Sequence, residues 1–233
     1  SIVDKRRGGK RQPIEYSASD ALRDLDTDGY IEPVDYRRRE YRYSGLMRRG
    51  SKRSLERPES HYTRNHSERV TERFDLYHFF ADEGIPNSVL GLPTRIGSEH
   101  EARRAIADVL GDHANALPAR DFVASGDRDL VDVVLRLATR KHTQRVVDHG
   151  APAPTVVTLP DDYVHPFESR IMTVRELARL QSFPDWFEFR SKETTGSHRR
   201  KVEVPQYTQV GNAIPPLMAQ AVGELLKKLL VDD

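Results

Sequence analysis

Cysteine is absent from the 233 residues of this sequence. Its absence excludes disulfide bonds, cysteine-ligated metal sites and any mechanism in which this chain supplies a thiolate nucleophile. It is compatible with a reducing compartment, and a cytoplasmic location is expected. Long apolar runs are also lacking, and none approaches the length needed to span a bilayer, so we expect no membrane role.

One pair of histidines is a candidate for a metal site. His61 and His66 lie close in sequence, but they do not have the i, i+4 spacing of a helical zinc pair. No third ligand accompanies them, so no metal site is predicted.

Charge is nearly balanced overall but uneven along the chain. Lys and Arg number 37 against 36 Asp and Glu, which gives a formal net charge of +1. Between Tyr36 and Arg57 only Glu40 and Glu56 are acidic, while the basic side chains there are Arg37, Arg38, Arg39, Arg42, Arg48, Arg49, Lys52, Arg53 and Arg57. No steady period is present, so an exposed irregular surface is expected. Arginines interleaved with tyrosines also suit a nucleic-acid contact, although composition alone favours the solvated surface.

Two helices are predicted before residue 112. In "SASDALRDL", Ser19 is placed to cap a short helix whose inner face is Ala21, Leu22 and Leu25. In "GSEHEARRAIADVLGD", Ser98 and Glu101 form a capping box and Gly111 can end the helix. Its apolar stripe is Ala102, Ala105, Ile106, Val109 and Leu110.

Further elements follow. A helix is expected over about 128–141, with Leu130, Val133, Val134 and Leu137 buried, and a short strand over 155–159. Thr173 and Glu176 form a second capping box, and Pro184 ends the helix that they begin. Gly211 and Asn212 predict a tight turn. After it, an apolar stripe runs from Ile214 to Leu230 and must be buried against something.

Two of these segments resemble a known family. "RIMTVRELARLQSFPDWFEF" (170–189) and "YTQVGNAIPPLMAQAVG" (207–223) are similar to the ninth and tenth conserved motifs of DNA cytosine-5 methyltransferases. "APAPTVVTLPDDYVHP" (151–166) and "SASDALRDL" (17–25) carry a weaker likeness. The resemblance covers the C-terminal part of such an enzyme, and residues 84–140, which match no pattern, lie where the family keeps its variable target-recognition domain.

Other motifs of the family are missing. The sequence lacks the Pro-Cys dipeptide, the Phe-x-Gly-x-Gly turn, the Glu-Asn-Val tripeptide and the arginine-rich eighth motif. Methyl transfer to cytosine needs a thiolate, an acid and a bound methyl donor, so this chain has no catalytic residue of its own. Three interpretations stay open: the small subunit of a split enzyme, a piece of a single-chain enzyme, or a non-catalytic DNA-binding or regulatory relative. The first residue is Ser1 and not Met, which makes a piece of a single-chain enzyme plausible. The long motif matches argue against a non-catalytic relative.

The resemblance implies a mixed α/β chain. It consists of a small target-recognition domain and a C-terminal helix that completes a Rossmann-like, S-adenosylmethionine-dependent methyltransferase domain supplied elsewhere. The expected parts are a flexible basic arm (1–12), the target-recognition region (13–160), a motif-nine brace (161–189), a basic loop (190–206) and the motif-ten helix (207–233). The implied partners are double-stranded DNA and a catalytic subunit, or N-terminal portion, that carries the first eight motifs.

Roles for individual residues follow from the same resemblance. The polar residues of the ninth motif, Arg170, Arg175, Glu176 and Arg179, are expected to serve as internal scaffolding. S-adenosylmethionine is expected to contact Asn212, Ala213 and Ile214, although Asn212 can equally be a plain helix N-cap. DNA contacts are expected from two basic segments. They comprise Arg37, Arg38, Arg39, Arg48, Arg49, Lys52, Arg53, Arg64 and Arg69, and, in the later loop, Arg190, Lys192, His198, Arg199, Arg200 and Lys201.

Overall fold

The computed structural model describes residues 16–31, 33–51, 56–194 and 203–231, which belong to two units. The first unit is drawn from Ser1–Thr63, Val147–Pro160 and Met172–Asp233, and the second from Arg64–Val146 and Asp161–Ile171. The predicted basic arm lies outside the described residues.

Short helices make up most of the regular structure. In chain order the α-helices are α1 (Ala18–Leu22), α2 (Arg42–Met47), α3 (Glu68–Glu83), α4 (Glu99–Leu110), α5 (Leu130–Arg136), α6 (Val174–Leu180), α7 (Gln206–Asn212) and α8 (Pro216–Val231). The strands are β1 (Leu25–Asp26), β2 (Gly29–Tyr30), β3 (Arg145–Val146) and β4 (Tyr163–Val164). β1 pairs with β2 antiparallel, and β3 pairs with β4 parallel. The described ranges therefore form a mixed structure of helices and two small sheets.

The strand predicted over 155–159 is wrong, because these residues are irregular in the structure. They lie along α7, where the Thr208 hydroxyl donates to the Thr158 carbonyl oxygen at 3.4 Å. A run rich in Val and Thr becomes a strand where another strand supplies its hydrogen bonds. Here a helix lies beside it instead.

Helix α1 begins earlier than predicted. Its cap is Ser17, whose hydroxyl accepts from the Asp20 N–H, while the Asp20 carboxylate accepts from the Ser17 N–H at 2.9 Å. The prediction of Ser19 as the cap was therefore wrong. The deciding signal is Asp20, which completes a capping box with Ser17. The predicted inner face, Ala21, Leu22 and Leu25, is buried.

The second unit is built around α3, α4 and α5, whose apolar faces share one core. On α4, Ser98 caps the helix by accepting from the Glu101 N–H at 3.4 Å, but the described contacts contain no return bond to the Glu101 carboxylate, so only half of the predicted capping box is found. Gly111 follows the helix with φ of +55°, and the end predicted there is confirmed. Val109 is exposed, contrary to prediction. The buried stripe of α4 is consequently narrower and consists of Ala102, Ile106 and Leu110.

Helix α5 is shorter than the predicted 128–141. Asp129 caps it by accepting from the Asp132 N–H at 2.8 Å, and the helix ends before Leu137. Beyond that point the Thr139 N–H donates to the Leu90 carbonyl oxygen at 3.0 Å, which takes the chain away from the helix axis. All four residues predicted to be buried are buried: Leu130, Val133, Val134 and Leu137.

The tight turn predicted at Gly211 and Asn212 is also wrong, since both residues end helix α7. The chain turns at Ala213, which is extended (φ −80°, ψ 148°), before α8 begins at Pro216. Gly211 is required for a different reason. A Cβ at this position would lie 2.7 Å from the carbonyl carbon and oxygen of Val157. Only glycine lets α7 approach that backbone so closely.

Replacing Gly211 with alanine is expected to lower the free energy of unfolding by about 1–3 kcal/mol, because the added methyl group forces backbone apart. Urea unfolding measures the change. The matched control is Gly223→Ala on α8, where an added Cβ meets nothing within 4 Å. That control is expected to be neutral or slightly stabilising, as alanine is the better helix former. Equal stability of both variants would contradict the close packing of α7.

Candidate DNA and cofactor surfaces

The ninth-motif segment forms α6, and its polar residues are buried. Thr173 and Glu176 make the predicted capping box, in which the Glu176 carboxylate accepts from the Thr173 N–H at 2.7 Å. His61 reinforces this end of the helix, because its Nδ1 lies 2.9 Å from the Thr173 hydroxyl and its Nε2 lies 2.6 Å from the Asp26 carbonyl oxygen. His61 is thus a satisfied core histidine of the first unit.

Arg179 lies at the centre of the first unit and is fully buried between two aspartates. Its Nε and Nη2 donate to Asp185 at 2.9 and 2.6 Å, and its Nη1 donates to Asp24 and to the Ala21 carbonyl oxygen. Two tyrosines complete the cluster: Tyr30 donates to Asp185 at 2.8 Å and Tyr36 donates to Asp24 at 2.9 Å. This Arg179 cluster joins α6 to α1 and to the β1–β2 hairpin.

The cluster controls the ionisation of its members. Burial by itself would raise the pKa of the Asp185 carboxyl, but Arg179 and Arg175, with hydrogen bonds from Arg179 and Tyr30, hold that pKa below its usual value. Burial and the neighbouring Asp24 carboxylate raise the pKa of Tyr36 to about 12. Asp185 is therefore charged and Tyr36 neutral at physiological pH.

Arg175 is likewise internal. It donates to three carbonyl oxygens, those of Glu59 (2.9 Å), Pro184 (3.1 Å) and Phe187 (2.6 Å), and so ties α6 to the chain on either side. In the second unit Arg170 is buried and donates to Glu168 at 2.9 Å. The predicted scaffolding role of the ninth-motif polar residues agrees with these contacts.

The arginine-rich segment is more ordered than predicted, because it contains a 3-10 turn (Arg39–Tyr41) and α2, with Tyr43, Ser44 and Met47 buried. Arg37, Arg38, Arg39 and Arg49 are exposed. Arg48 is different: its guanidinium lies 3.9 Å from the Tyr30 ring centroid and donates to the Tyr36 hydroxyl. Lys52 and Arg53 lie outside the described residues.

Arg64 and Arg69 belong to the second unit. Arg69 is exposed and donates to the Arg136 carbonyl oxygen at 2.6 Å, while Arg64 is half-buried. The first of the two predicted basic segments is thus divided between the units, whereas Arg190 and Lys192 of the later loop belong to the first unit.

The later basic loop is fixed at both ends to α7. The Gln206 side chain donates to the Phe189 and Ser191 carbonyl oxygens at 3.2 and 2.8 Å. Gln209 donates to the Arg190 and Val204 carbonyl oxygens, both at 2.8 Å. Arg190 and Lys192 are exposed on this clamped backbone, whereas His198, Arg199, Arg200 and Lys201 lie outside the described residues. Sequence reasoning missed this clamp, since α7 itself was not predicted.

The residues predicted to contact the methyl donor lie between α7 and α8. Asn212 is the last residue of α7 and is exposed, so it is not the N-cap of the following helix. Ala213 is half-buried and its N–H donates to the Val210 carbonyl oxygen at 3.2 Å, while Ile214 is 69% exposed. These three residues present one side chain amide and one apolar side chain at an open edge of the first unit.

Helix α8 leaves its apolar stripe uncovered in the described structure. The exposed large side chains include Met218, Val222, Leu225, Leu226, Leu229 and Leu230, the last at 80%. Its first turn is attached to the end of α6, because the Leu217 N–H donates to the Ser182 hydroxyl at 3.1 Å. An apolar groove of about 460 Å³ lies there, lined by α8, Tyr16, Tyr43 and Ser182.

Among the described residues, no helix is both long and apolar enough to cross a membrane.

Known proteins similar to this chain are DNA methyltransferases. It is 47% identical over 92 residues to the Type II methyltransferase M.AquIB of Picosynechococcus, a match covering 39% of this chain and 66% of that protein. M.DdeI of Desulfomicrobium norvegicum is 49% identical over 74 residues, which is 31% of this chain and 17% of M.DdeI. DNA (cytosine-5)-methyltransferase 2 of Arabidopsis thaliana is 48% identical over 66 residues, 28% of this chain and 4% of that protein.

Each match therefore covers less than two thirds of the relative's own length. The family model for C-5 cytosine-specific DNA methylases covers residues 25–228, which includes most of both units. Over that range the chain contains the capped α6, the α7–α8 junction and the basic segments described above. By this match the chain belongs to the C-5 cytosine-specific DNA methylase family.

Proposed function

We propose that this chain is the DNA-recognition and structural part of an enzyme that transfers a methyl group from S-adenosylmethionine to C5 of cytosine. The observation that carries the proposal is the absence of cysteine from a member of this family. The chemistry requires a thiolate that adds to the ring, and a chain without cysteine cannot supply it. The catalytic cysteine and most of the cofactor site would therefore come from another chain or from an N-terminal portion.

The relatives support a division of the enzyme. The same 92 residues make up 39% of this chain and 66% of M.AquIB, so that methyltransferase is shorter than the present chain. A similar methyltransferase of such short length fits a subunit that works with a second polypeptide.

Helix α8 supplies the docking surface for the missing part. We infer that its apolar stripe completes a Rossmann-like domain by packing against a sheet that is not in this chain. Burying one Leu side chain stabilises a complex by about 1.5–3 kcal/mol. Several leucines lie in the stripe, so its burial favours a stable complex. The 161–189 brace and the 207–233 helix would then join the recognition region, residues 13–160, to the catalytic part.

The cofactor would meet this chain only along one edge. S-adenosylmethionine supplies the methyl group when it is bound. The open edge at Asn212, Ala213 and Ile214 fits such a contact, since a side chain amide and an apolar side chain are both accessible there. The rest of the pocket must enclose the cofactor from the other side.

A mixing experiment tests the proposal. The chain is combined with a family polypeptide that contains the Pro-Cys and Phe-x-Gly-x-Gly motifs, and transfer of labelled methyl groups to DNA is measured. Activity is expected only in the mixture. DNA binding by this chain together with an inactive mixture would instead support a non-catalytic DNA-binding or regulatory relative.

DNA contacts are expected from the exposed basic side chains. Arg39 and Lys192 are exposed, and neither side chain has a hydrogen bond or ion pair within the described ranges. The double variant Arg39→Ala and Lys192→Ala should weaken binding to any duplex and reduce the slope of log K against log salt by about 0.9 per lost contact. Binding titrations over a range of salt concentrations measure the slope. The control is Arg104→Ala, an exposed arginine of α4 outside the proposed surface. An unchanged slope in the double variant would remove these residues from the DNA surface.

A further inference from the structure

Trp186 is the chain's only tryptophan and is 57% exposed. It lies in the loop after α6, next to the end of α2. The contact between the two segments is fixed by the Asp185 N–H, which donates to the Met47 carbonyl oxygen at 2.7 Å. An exposed tryptophan is thus held against the arginine-rich segment.

Gly50 allows the close approach. Its φ is +86°, and a Cβ at this position would lie 3.1 Å from Trp186 Cδ1 and 3.5 Å from Nε1. The N–H edge of the indole therefore faces the Arg49–Gly50 turn. Arg49 is exposed, and in the described ranges neither its guanidinium nor the indole N–H has a hydrogen-bond partner. The indole N–H therefore lies next to the turn that carries Arg49, and both side chains are exposed donors.

Arg48, which precedes the turn, packs on two aromatic rings. Arg48 is stacked between the Tyr30 and Tyr36 rings, at 3.9 and 5.4 Å from their centroids. Its neighbour Arg49 is left on the solvent side of the turn. The chain just before Arg49 is thus anchored to Tyr30 and Tyr36, two members of the Arg179 cluster.

Charge around Trp186 is positive. Asp185 is buried and engaged by Arg179, and Glu188 pairs with Arg190 at 2.8 Å. The sequence from Tyr41 to Leu55 contains no acidic residue but several arginines. An aromatic ring beside a positively charged turn matches a ligand that alternates anionic and apolar groups, which describes the sugar-phosphate backbone of nucleic acid. An apolar protein surface would leave the Arg49 charge unpaired.

We propose that Trp186 and Arg49 form a contact with the DNA backbone. In this contact the Arg49 guanidinium and the indole N–H donate to phosphate oxygens, and the exposed face of the ring packs on deoxyribose. The proposal rests on the proposed function, because its ligand is the DNA to be methylated. It adds to the first unit a contact that does not depend on base sequence, since phosphate and sugar are common to all sequences.

The fluorescence of the single tryptophan reports directly on this site. The full chain is titrated with a short duplex of arbitrary sequence, alone and together with its catalytic partner. DNA is expected to change the emission and to shield Trp186 from acrylamide, and added salt should reverse both effects. With fluorescently labelled DNA, Trp186→Phe and Arg49→Ala are each expected to weaken binding by about tenfold, an effect on the scale of aromatic contacts in nucleic-acid complexes. Arg104→Ala serves as the control.

The outcomes separate this inference from the proposed function. DNA binding with unchanged Trp186 accessibility and full affinity in both variants would overturn the inference and leave the proposed function intact. Shielding of Trp186 by the partner polypeptide in the absence of DNA would also overturn it, in favour of a protein interface. Absence of any DNA binding by the complete enzyme would overturn both.

Discussion

Replacing Arg179 with alanine is expected to lower the free energy of unfolding by about 3–5 kcal/mol, because it leaves two buried carboxylates without a counter-charge. Arg179 is completely buried and donates to Asp24 and Asp185. Removing it also leaves the Ala21 carbonyl oxygen without that donor. A small domain is stable by about 5–15 kcal/mol, so the loss is a large part of the total.

Urea unfolding followed by Trp186 fluorescence measures the effect in the unit that contains the cluster. Arg179→Lys keeps the charge but loses the planar fork, so an intermediate loss is expected. The control is Arg190→Ala, whose exposed side chain pairs with Glu188 and which should change stability by less than about 1 kcal/mol. A wild-type unfolding midpoint for Arg179→Ala would mean that the cluster contributes nothing net to stability.

The same cluster predicts acid sensitivity. The pKa of Asp185 is lower in the folded chain than its ordinary value, so its contribution to stability is full above the unfolded pKa of about 3.9 and is lost as pH falls through the folded pKa. Tyr30→Phe removes a hydrogen bond that helps to lower this pKa. In that variant the folded pKa of Asp185 is lowered less, so the acid-induced loss of stability due to Asp185 should be smaller than in the wild type and should be complete at a higher pH. Unfolding free energies measured between neutral and acidic pH test the size of the loss in the two proteins.

Prediction from sequence was most successful where one local signal decides the structure. Thr173 with Glu176, and Ser98 with Gly111, mark helix ends by hydrogen bonds within a few residues, and these ends are confirmed. Where two residues offered the same local signal, the predicted helix cap was wrong. Ser17 and Ser19 both suit a cap, and the choice between them depended on Asp20.

Contacts between distant segments could not be predicted in the same way. The strand expected over 155–159 needed a neighbouring strand, and its neighbour is α7. Composition could not predict that the side chain of Arg48, which is grouped with the adjacent arginines as an expected DNA contact, lies against the Tyr30 and Tyr36 rings. Similarly, the exposure of Trp186 beside Gly50 depends on the position of α6 relative to α2 within the first unit.

The apolar stripe of α8 has a structure that a local pattern predicts and a contact that the sequence does not reveal. Periodicity predicted a helix with a wide apolar face, and α8 confirms it. Its side chains are exposed in the described structure, which leaves this face open for the proposed docking. Substitutions on this face are therefore expected to affect assembly of the enzyme without affecting folding of the chain.

Placing aspartate at both Leu225 and Leu229 is expected to reduce methyl transfer by the assembled enzyme at least a hundredfold, which corresponds to about 2.7 kcal/mol or more of lost docking energy. Each substitution removes an apolar side chain and puts a charge where the proposed interface excludes water. The stability of the chain alone should change little, because both leucines are more than half exposed there.

Co-purification and methyl-transfer assays measure assembly, and urea unfolding of the chain alone measures folding. The matched control is Gln220→Asp, which adds a charge on the polar face of the same helix, where Gln220 is exposed and donates to Glu224. It should assemble normally. If the double variant retains full activity, α8 is not the docking helix, and the missing catalytic part must bind another surface. If it unfolds on its own, the apolar face is covered within this chain and needs no partner.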